Sequence, residues 1–167
     1  MKVKDIKMYV NTCDATMEFL PIWTYFYDKY WKPAQDVVIL GYSKPEFNLP
    51  DNYIYHSMSA VQEDGVNNWS TYLRQYFEWI DDEYILWGID DHIIADDVDQ
   101  DILTHAVKLM NEDKTIGRFG LHRGISQREH IVVEKTDNYD IIELTQCESS
   151  GAPFAFRIDC NMIINSP

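Results

Sequence analysis

The strongest constraint on the fold is an apolar run, Tyr84 to Ile89, that ends abruptly in the polar residues Asp90-Asp91-His92. We interpret this run as the central strand of a sheet. Val37 to Leu40 is a second short and continuous apolar run, which is typical of a strand that is covered on both faces. The sequence therefore predicts a buried sheet that is flanked by other elements.

Amphipathic segments separate these runs and predict three helices. The first runs from about Thr16 to Trp31, where Pro21 is tolerated only within the first turn. The second follows Asn68, whose side chain suits an N-cap, and the third covers about Asp99 to Asn111. Their apolar stripes consist of Phe19, Trp23, Phe26 and Tyr30, then Trp69, Tyr72, Leu73, Tyr76, Phe77 and Ile80, and then Ile102, Leu103, Ala106, Leu109 and Met110.

Shorter strands complete the pattern. A first strand is predicted over Ile6 to Val10, where apolar residues alternate with others, and a short one around Tyr53 to His56. Beyond Gly117 the pattern changes to short strands at 118–121, 131–133, 141–144 and 154–158. The alternation of strands and helices predicts an α/β fold with a mainly parallel central sheet flanked by helices, to which the C-terminal third adds short strands.

The net charge limits the kinds of molecule that this chain can bind. The 167 residues include 14 Lys and Arg against 28 Asp and Glu, which gives a net charge of −14. Such a chain lacks the clustered cations that DNA, RNA or an anionic membrane requires, so no nucleic-acid partner is expected. With 46% hydrophobic residues it is long and apolar enough for one folded domain. No segment is apolar enough for a membrane span or a signal peptide.

The cysteines predict neither a disulfide framework nor a zinc site. Cys13, Cys147 and Cys160 are odd in number, widely spaced and without a CxxC pair. Reduced thiols in a cytoplasmic protein are the plainest interpretation. The signatures of a phosphate loop, a dinucleotide-binding turn, a serine nucleophile elbow and a zinc protease helix are also absent from the sequence.

The acids are concentrated in one segment, Glu78 to Asp101, which contains 10 of them and no Lys or Arg. Asp90 and Asp91 follow the predicted central strand at its carboxyl end, where open α/β sheets bind ligands. With an extended backbone, Asp90 and His92 project to one side and Asp91 to the other, and such a pair can hold one divalent ion. The alternative is a solvated strand end.

The remaining acids of this segment are expected to be structural. We interpret 81–83 as a solvated turn before the strand, and Asp96, Asp97 and Asp99 as favouring the N-terminal end of the next helix through its dipole. We predict a buried core position for Trp69, in preference to a role as a sugar platform, and a solvated position for Arg74.

The order of these elements resembles the glycosyltransferases with the GT-A fold. The first strand is followed by Thr12-Cys13-Asp14, an aromatic helix that ends in Tyr30-Trp31, and the strand Val37 to Leu40. Later, Asn68 to Leu73 and Glu83 to His92 look like the helix and strand that deliver the metal-binding motif of that fold. The resemblance covers about residues 6–112.

The resemblance implies a transferase that moves a sugar from a nucleotide donor, UDP-linked by preference, to the hydroxyl of a glycan, lipid or protein acceptor. In such enzymes a D-x-D or D-x-H motif binds Mn²⁺ or Mg²⁺ against the donor diphosphate. Asp90-Asp91-His92 fits the D-x-H form, whereas Gly88 and Ile89 depart from D-x-D. Whether Asp91 or the pair Asp90 and His92 contacts the metal stays open.

The same resemblance places Thr12, Cys13 and Asp14 in the loop that holds the nucleoside, and Asn68 near the donor. Helix capping is the competing role for Asp14 or Thr16, and for Asn67 and Asn68. Residues 1–115 would form the donor-binding part of a single domain that spans 1–167.

Residues 116–167 would form the acceptor side, either as a compact version or with part of it missing. There, Asp159 is a candidate catalytic base or acceptor contact. Arg118, His122, Arg123 and Arg128 either neutralise a phosphate, with His122 as an additional metal ligand, or form a surface loop that balances the acids.

Two other classes of protein use the same acids. The first is a non-catalytic domain of this fold that binds a nucleotide or a partner. The second is a metal-dependent phosphohydrolase or nucleotidyltransferase, which would release phosphate or pyrophosphate without a sugar acceptor.

Overall fold

A computed structural model describes residues 5–58, 62–121, 129–144 and 154–157. Its centre is a sheet in which four parallel strands stand in the order β3-β2-β1-β4. These strands are β1 (Met8–Asn11), β2 (Val37–Gly41), β3 (Tyr53–Ser57) and β4 (Tyr84–Ile89). The predicted α/β class and mainly parallel sheet are therefore confirmed, and the run from Tyr84 to Ile89 is a strand with its first five residues buried.

Later parts of the chain extend this sheet beyond β4. A strand near the C-terminus, β8 (Phe154–Arg157), pairs antiparallel with β4. The short strand β5 (Arg118–Gly120) then pairs antiparallel with β8 and forms the edge. Two further strands, β6 (His130–Lys135) and β7 (Asp140–Leu144), form a separate antiparallel hairpin. The elements after residue 115 thus include two strands of the central sheet.

Three helices cover the sheet: α1 (Leu20–Tyr30), α2 (Gln62–Phe77) and α3 (Gln100–Glu112). Pro21 lies in the first turn of α1, as predicted, and Asp99 caps α3 by accepting a 2.8 Å hydrogen bond from the backbone N–H of Asp101. The predicted N-cap at Asn68 is wrong, because α2 begins at Gln62. The apolar stripe marks only the packed part of that helix, which continues upstream through largely polar residues.

The two faces of the sheet carry separate cores. Met8 and Val10 face α1 and α3, where they pack with residues such as Trp23 and Leu103, whereas Tyr9 faces α2. Alternate residues of a strand point to opposite faces, so each parallel strand contributes to both cores. Among the described residues, no helix is long and apolar enough to span a membrane.

The turn before β4 is more ordered than predicted. Both carboxylate oxygens of Asp82 accept hydrogen bonds from Lys7 Nζ, at 3.1 and 2.9 Å, and Asp82 also accepts one from the phenol of Tyr9. Burial, reinforced by this bond, raises the pKa of Tyr9. Asp81 and Glu83 are exposed, as expected of a turn. The solvated interpretation was therefore wrong for Asp82, which ties the amino ends of β1 and β4 together.

The hairpin is attached to α3 through His105. Its Nδ1 lies 2.9 Å from the phenol oxygen of Tyr139, in the turn of the hairpin, and its Nε2 lies 3.3 Å from Oε2 of Glu134 on β6. One imidazole ring thus contacts two points of the hairpin.

Candidate functional site at the carboxyl edge of the sheet

The polar residues that follow β1, β2 and β4 meet at one edge of the sheet. Asn11, the last residue of β1, pairs with Leu40 of β2 on one side and with Ile89 of β4 on the other. The strands therefore end level with one another, and the next residue of each, Thr12, Gly41 and Asp90, lies at the same height. This register places Thr12 beside Asp90 although 78 positions separate them in the chain.

Thr12 and Asp90 form a buried hydrogen bond. Both residues are about 1% exposed, and Thr12 Oγ1 donates to Asp90 Oδ2 over 2.5 Å. The backbone N–H of Asp90 also donates to the carbonyl of Asn11 over 3.2 Å. Burial raises the pKa of the Asp90 carboxyl, hydrogen bonds from Thr12 and Thr16 oppose that shift, and the charge of Asp91 adds to it.

A glycine makes room for this bond. A Cβ on Gly41 would lie 2.8 Å from Cγ2 of Thr12 and 2.9 Å from the phenol oxygen of Tyr55. Carbon atoms do not approach one another so closely, so any side chain at position 41 would displace Thr12 or Tyr55. By contrast, a Cβ on Gly88 in β4 would find its nearest neighbour at 3.6 Å, which is an ordinary contact.

Asp14 joins the loop after β1 to the loop after β2. Its Oδ1 accepts the backbone N–H of Ser43 over 3.0 Å, and its Oδ2 accepts the Ser43 hydroxyl over 2.8 Å. Tyr55 donates to the Ser43 carbonyl over 2.5 Å, and burial raises the pKa of this phenol to about 12. Asp14 therefore fixes the relative position of two loops at the edge, a role that neither the nucleoside nor the capping hypothesis predicted.

The turn that contains Cys13 leads into α1. The carbonyl of Cys13 accepts the backbone N–H groups of Thr16 and Met17 at 3.0 and 2.9 Å, and Cys13 Sγ lies 3.3 Å from Thr16 Oγ1. A 3₁₀ turn, Met17–Phe19, follows, and the Thr16 side chain makes no capping bond to it. The Thr16 hydroxyl faces Cys13 and Asp90 instead, so the capping alternative does not hold for Thr16.

The Asp90-Asp91-His92 segment is a turn and not an extended strand. β4 ends at Ile89, whose carbonyl accepts the backbone N–H of His92 over 3.1 Å. This corrects the expectation that Asp90 and His92 project to one side: Asp90 points into the protein, whereas Asp91 and His92 are exposed. Asp91 Oδ1 and His92 Nε2 lie 3.8 Å apart. The turn thereby separates one buried acid from one exposed acid and imidazole pair.

The exposed pair has suitable donor atoms for a divalent ion of the Mn²⁺ type, which accepts both carboxylate oxygen and imidazole nitrogen. Within the described part of the chain, no group of three or more His, Cys, Asp or Glu side chains is placed to hold a metal. An ion here would take Asp91 and His92 as its two ligands from the described residues, with water or substrate oxygens among the remaining ligands. The donor set fits this role with Asp91 and His92 as ligands, because Asp90 is about 1% exposed and points into the protein.

Trp69 lies at this edge, a position that the sequence did not reveal. It was predicted to lie in the core, yet it is about 36% exposed, and its indole N–H donates to Oδ1 of Asn11 over 3.1 Å. The backbone carbonyl of Asn11 also accepts a hydrogen bond from the backbone N–H of Asp90. The indole of Trp69 therefore contacts the residue that precedes Thr12 and adjoins the buried Thr12–Asp90 bond. The neighbouring Asn68 is also exposed. The apolar stripe of α2 predicted burial of Trp69 wrongly, because α2 extends past the end of β1, where no core remains to bury the indole.

Several predicted residues lie away from this edge or outside the described residues. Arg118 is half-buried in β5, and Arg74 is exposed, as predicted, with Nε 3.7 Å from Glu78. Outside the described residues lie Asp159, His122, Arg123, Arg128, Cys147 and Cys160. Their predicted roles, including that of Asp159 as a catalytic base, stay predictions.

No family model matches this chain, and no curated protein matches it either. The resemblance to the GT-A glycosyltransferases thus stays a prediction that rests on the motifs in residues 6–112. The function has to be inferred from the chemistry that the carboxyl edge brings together.

Proposed function

We propose that this protein is a metal-dependent glycosyltransferase that takes a sugar from a nucleotide-sugar donor. The observation that carries the proposal is the location of the Thr12–Asp90 bond. In the order β3-β2-β1-β4, the chain moves outward from β1 to β3 and then crosses back to the other side of β1. The crevice between β1 and β4 is therefore the topological switch point, where open α/β sheets bind their ligands.

The charges at this edge favour a cation-bridged ligand. Asp14, Asp90 and Asp91 lie at the ends of neighbouring strands in a chain of net charge −14. A bare diphosphate would be repelled here, so Asp91 and His92 would hold a Mn²⁺ or Mg²⁺ ion between themselves and the donor phosphates. Such an ion stabilises the nucleoside diphosphate as a leaving group.

The residues around the metal pair would position the donor. The Thr12–Asp90 bond fixes the turn that carries Asp91 and His92, and the Asp14–Ser43 bridge fixes the two loops beside it. The exposed indole of Trp69, held by Asn11, offers a flat apolar surface next to this turn for the base or the sugar of the donor. A hydroxyl of the acceptor would then attack the anomeric carbon.

A donor titration tests this proposal. Calorimetry with UDP-glucose, UDP-galactose and UDP-N-acetylglucosamine, each with and without Mn²⁺, should give binding only in the presence of the ion. Replacing both Asp91 by Asn and His92 by Gln should weaken that binding by about tenfold or more, which corresponds to about 1.4 kcal/mol. Asp81→Asn, which removes an exposed acid at the opposite edge of the sheet, is the matched control.

The outcomes separate the candidate functions. Binding that needs no divalent ion, or that survives the double substitution, contradicts the proposal. Binding followed by transfer of the sugar to an acceptor hydroxyl, with UDP released as the leaving group, supports the transferase. Heat without any turnover favours the non-catalytic binder. Release of phosphate or pyrophosphate from a nucleoside triphosphate, without a sugar acceptor, favours the phosphohydrolase or nucleotidyltransferase.

A further inference from the structure

A second concave surface lies on the α2 side of the sheet, away from the acidic turn. It is an open cavity of about 170 Å³ between α2 and the carboxyl end of β3. β3 is the edge strand, and the core beneath α2 is built from residues of β1, β2 and β4, so α2 leaves this face of β3 uncovered. Ile54 and His56 on that face are accordingly exposed.

The lining of this cavity combines aromatic rings with neutral hydrogen-bonding groups. Its aromatic members are Tyr72, Tyr76 and Trp79, and its polar members are His56, Ser57 and Gln75. The rings of His56 and Tyr76 are 4.6 Å apart, and Trp79 is 82% exposed at the rim. None of the described residues that line the cavity is Asp, Glu, Lys or Arg, although these residues make up 25% of the chain.

We propose that this cavity, which we call the α2 groove, binds a neutral sugar ring of an oligosaccharide. A pyranose presents C–H groups on its faces, which pack against aromatic rings, and hydroxyl groups on its rim, which pair with amide, hydroxyl and imidazole groups. The α2 groove offers both kinds of partner. Its described lining residues include no cation for a phosphate, and pockets for whole drug-sized ligands measure about 300–1,000 Å³. One sugar ring fits this space, whereas a nucleotide does not.

The α2 groove and the carboxyl edge share one helix, α2. Tyr72 lies one turn after Trp69, whose indole is bonded to Asn11 beside Asp90. At a rise of about 1.5 Å per residue, Trp69 and Tyr76 are roughly 10 Å apart along the helix axis. A chain of two or three sugar rings covers that distance. In this respect the inference rests on the proposed function: it names a glycan as the acceptor.

The test measures glycan binding in the absence of nucleotide and metal, so its result does not depend on the donor site. Neutral hexasaccharides (cellohexaose, maltohexaose and xylohexaose) are titrated into the full-length chain, with tryptophan fluorescence and calorimetry as readouts. At least one is expected to bind. Trp79→Ala should weaken that binding by about tenfold, which is about 1.4 kcal/mol. Gln75→Ala, at an exposed position, should weaken it by a smaller factor without affecting the fold.

Tyr25→Ala is the matched control, because Tyr25 is an exposed aromatic residue on α1, on the opposite face of the sheet. The affinity of this variant for the hexasaccharide should equal that of the wild type. The inference is overturned if none of the hexasaccharides binds at millimolar concentration, or if Trp79→Ala and Gln75→Ala both leave the affinity unchanged. Preferential binding of a trimethylammonium compound over every sugar would also overturn it. None of these results alters the donor titration with Mn²⁺, so the two proposals fail separately.

Discussion

The hydroxyl of Thr12 donates a hydrogen bond to the buried carboxylate of Asp90, and this contact joins the ends of two strands that are far apart in the chain. It occupies the switch point of the sheet, where the backbone ladder between β1 and β4 has just ended. The bond thus continues the pairing of the strands through side chains. It also directs the carboxylate inward, which leaves Asp91 and His92 at the surface.

Removing the donor should cost stability. In Thr12→Val the shape is kept, but the Asp90 carboxylate loses its short hydrogen bond in a buried place. We expect a loss of about 1–3 kcal/mol in the free energy of unfolding at pH 7, measured by urea denaturation. Thr12→Ser keeps the hydroxyl and should lose clearly less. Equal losses for Val and Ser would show that the methyl group, and not the hydrogen bond, is what matters at this position.

Asp90→Asn should stabilise the fold at neutral pH. Burial raises the pKa of Asp90 above its value in the unfolded chain, so between the two pKa values the native state binds more protons than the unfolded state. Stability therefore falls as the pH rises through that window, and this loss persists above it. The Asn variant does not titrate and should be more stable at pH 7 by about 0.5–2 kcal/mol.

The advantage of Asp90→Asn should shrink towards pH 3, below the unfolded pKa of about 3.9. Urea denaturation curves at pH 3, 5 and 7 measure it, with Asp81→Asn as the exposed control. An advantage that is independent of pH, or a variant that is less stable at pH 7, contradicts the assignment of a raised pKa to Asp90.

Two glycines, Gly41 in β2 and Gly88 in β4, should respond differently to alanine. Gly41→Ala places a Cβ against Thr12 and Tyr55 and should cost about 1–3 kcal/mol. Gly88→Ala meets only ordinary contacts and should be close to neutral. Thermal unfolding of the two variants side by side tests this. Similar melting temperatures for both would mean that the close approach at position 41 relaxes without cost.

The hairpin should loosen when its link to α3 is removed. His105→Ala deletes the contacts to Tyr139 and Glu134, and a two-stranded hairpin is marginally stable without such packing. We expect faster hydrogen exchange in β6 and β7 and unchanged exchange in β1, β2 and β4. Lys108→Ala, at an exposed position of the same helix, is the control. Unchanged exchange in the hairpin would show that other contacts hold it.

The fold could be predicted from the sequence wherever hydrophobic periodicity reflects burial. The run from Tyr84 to Ile89 became a strand with the predicted bounds, and the second and third helices end within a residue or a few of their predicted ends. The start of α2 was missed, because residues 62–67 carry no stripe. An apolar stripe indicates which residues of a helix pack against a neighbouring element. A helix can begin several residues before the part that packs.

The site was only partly predictable. Strand-end position drew attention to Asp90, and the resemblance drew attention to Thr12 and Asp14. The structure places all three at one edge, since the carboxyl ends of parallel strands meet there. The sequence did not reveal that Asp90 turns inward, because that depends on a hydrogen bond across 78 positions. The pairing of Asp14 with Ser43 and the exposure of Trp69 are likewise tertiary facts that no local pattern encodes.

The position of β8 has a consequence for the order in which the sheet assembles. β1 to β4 are complete once residue 89 has been synthesised, but β4 pairs on its outer side with β8, which begins 65 residues later. Until then the apolar strand Tyr84–Ile89 presents an open edge, the type of surface on which newly made chains associate with one another. The ribosome and its chaperones would therefore have to shield that edge for the time needed to make residues 90–157, and a chain cut short before β8 should be prone to aggregate.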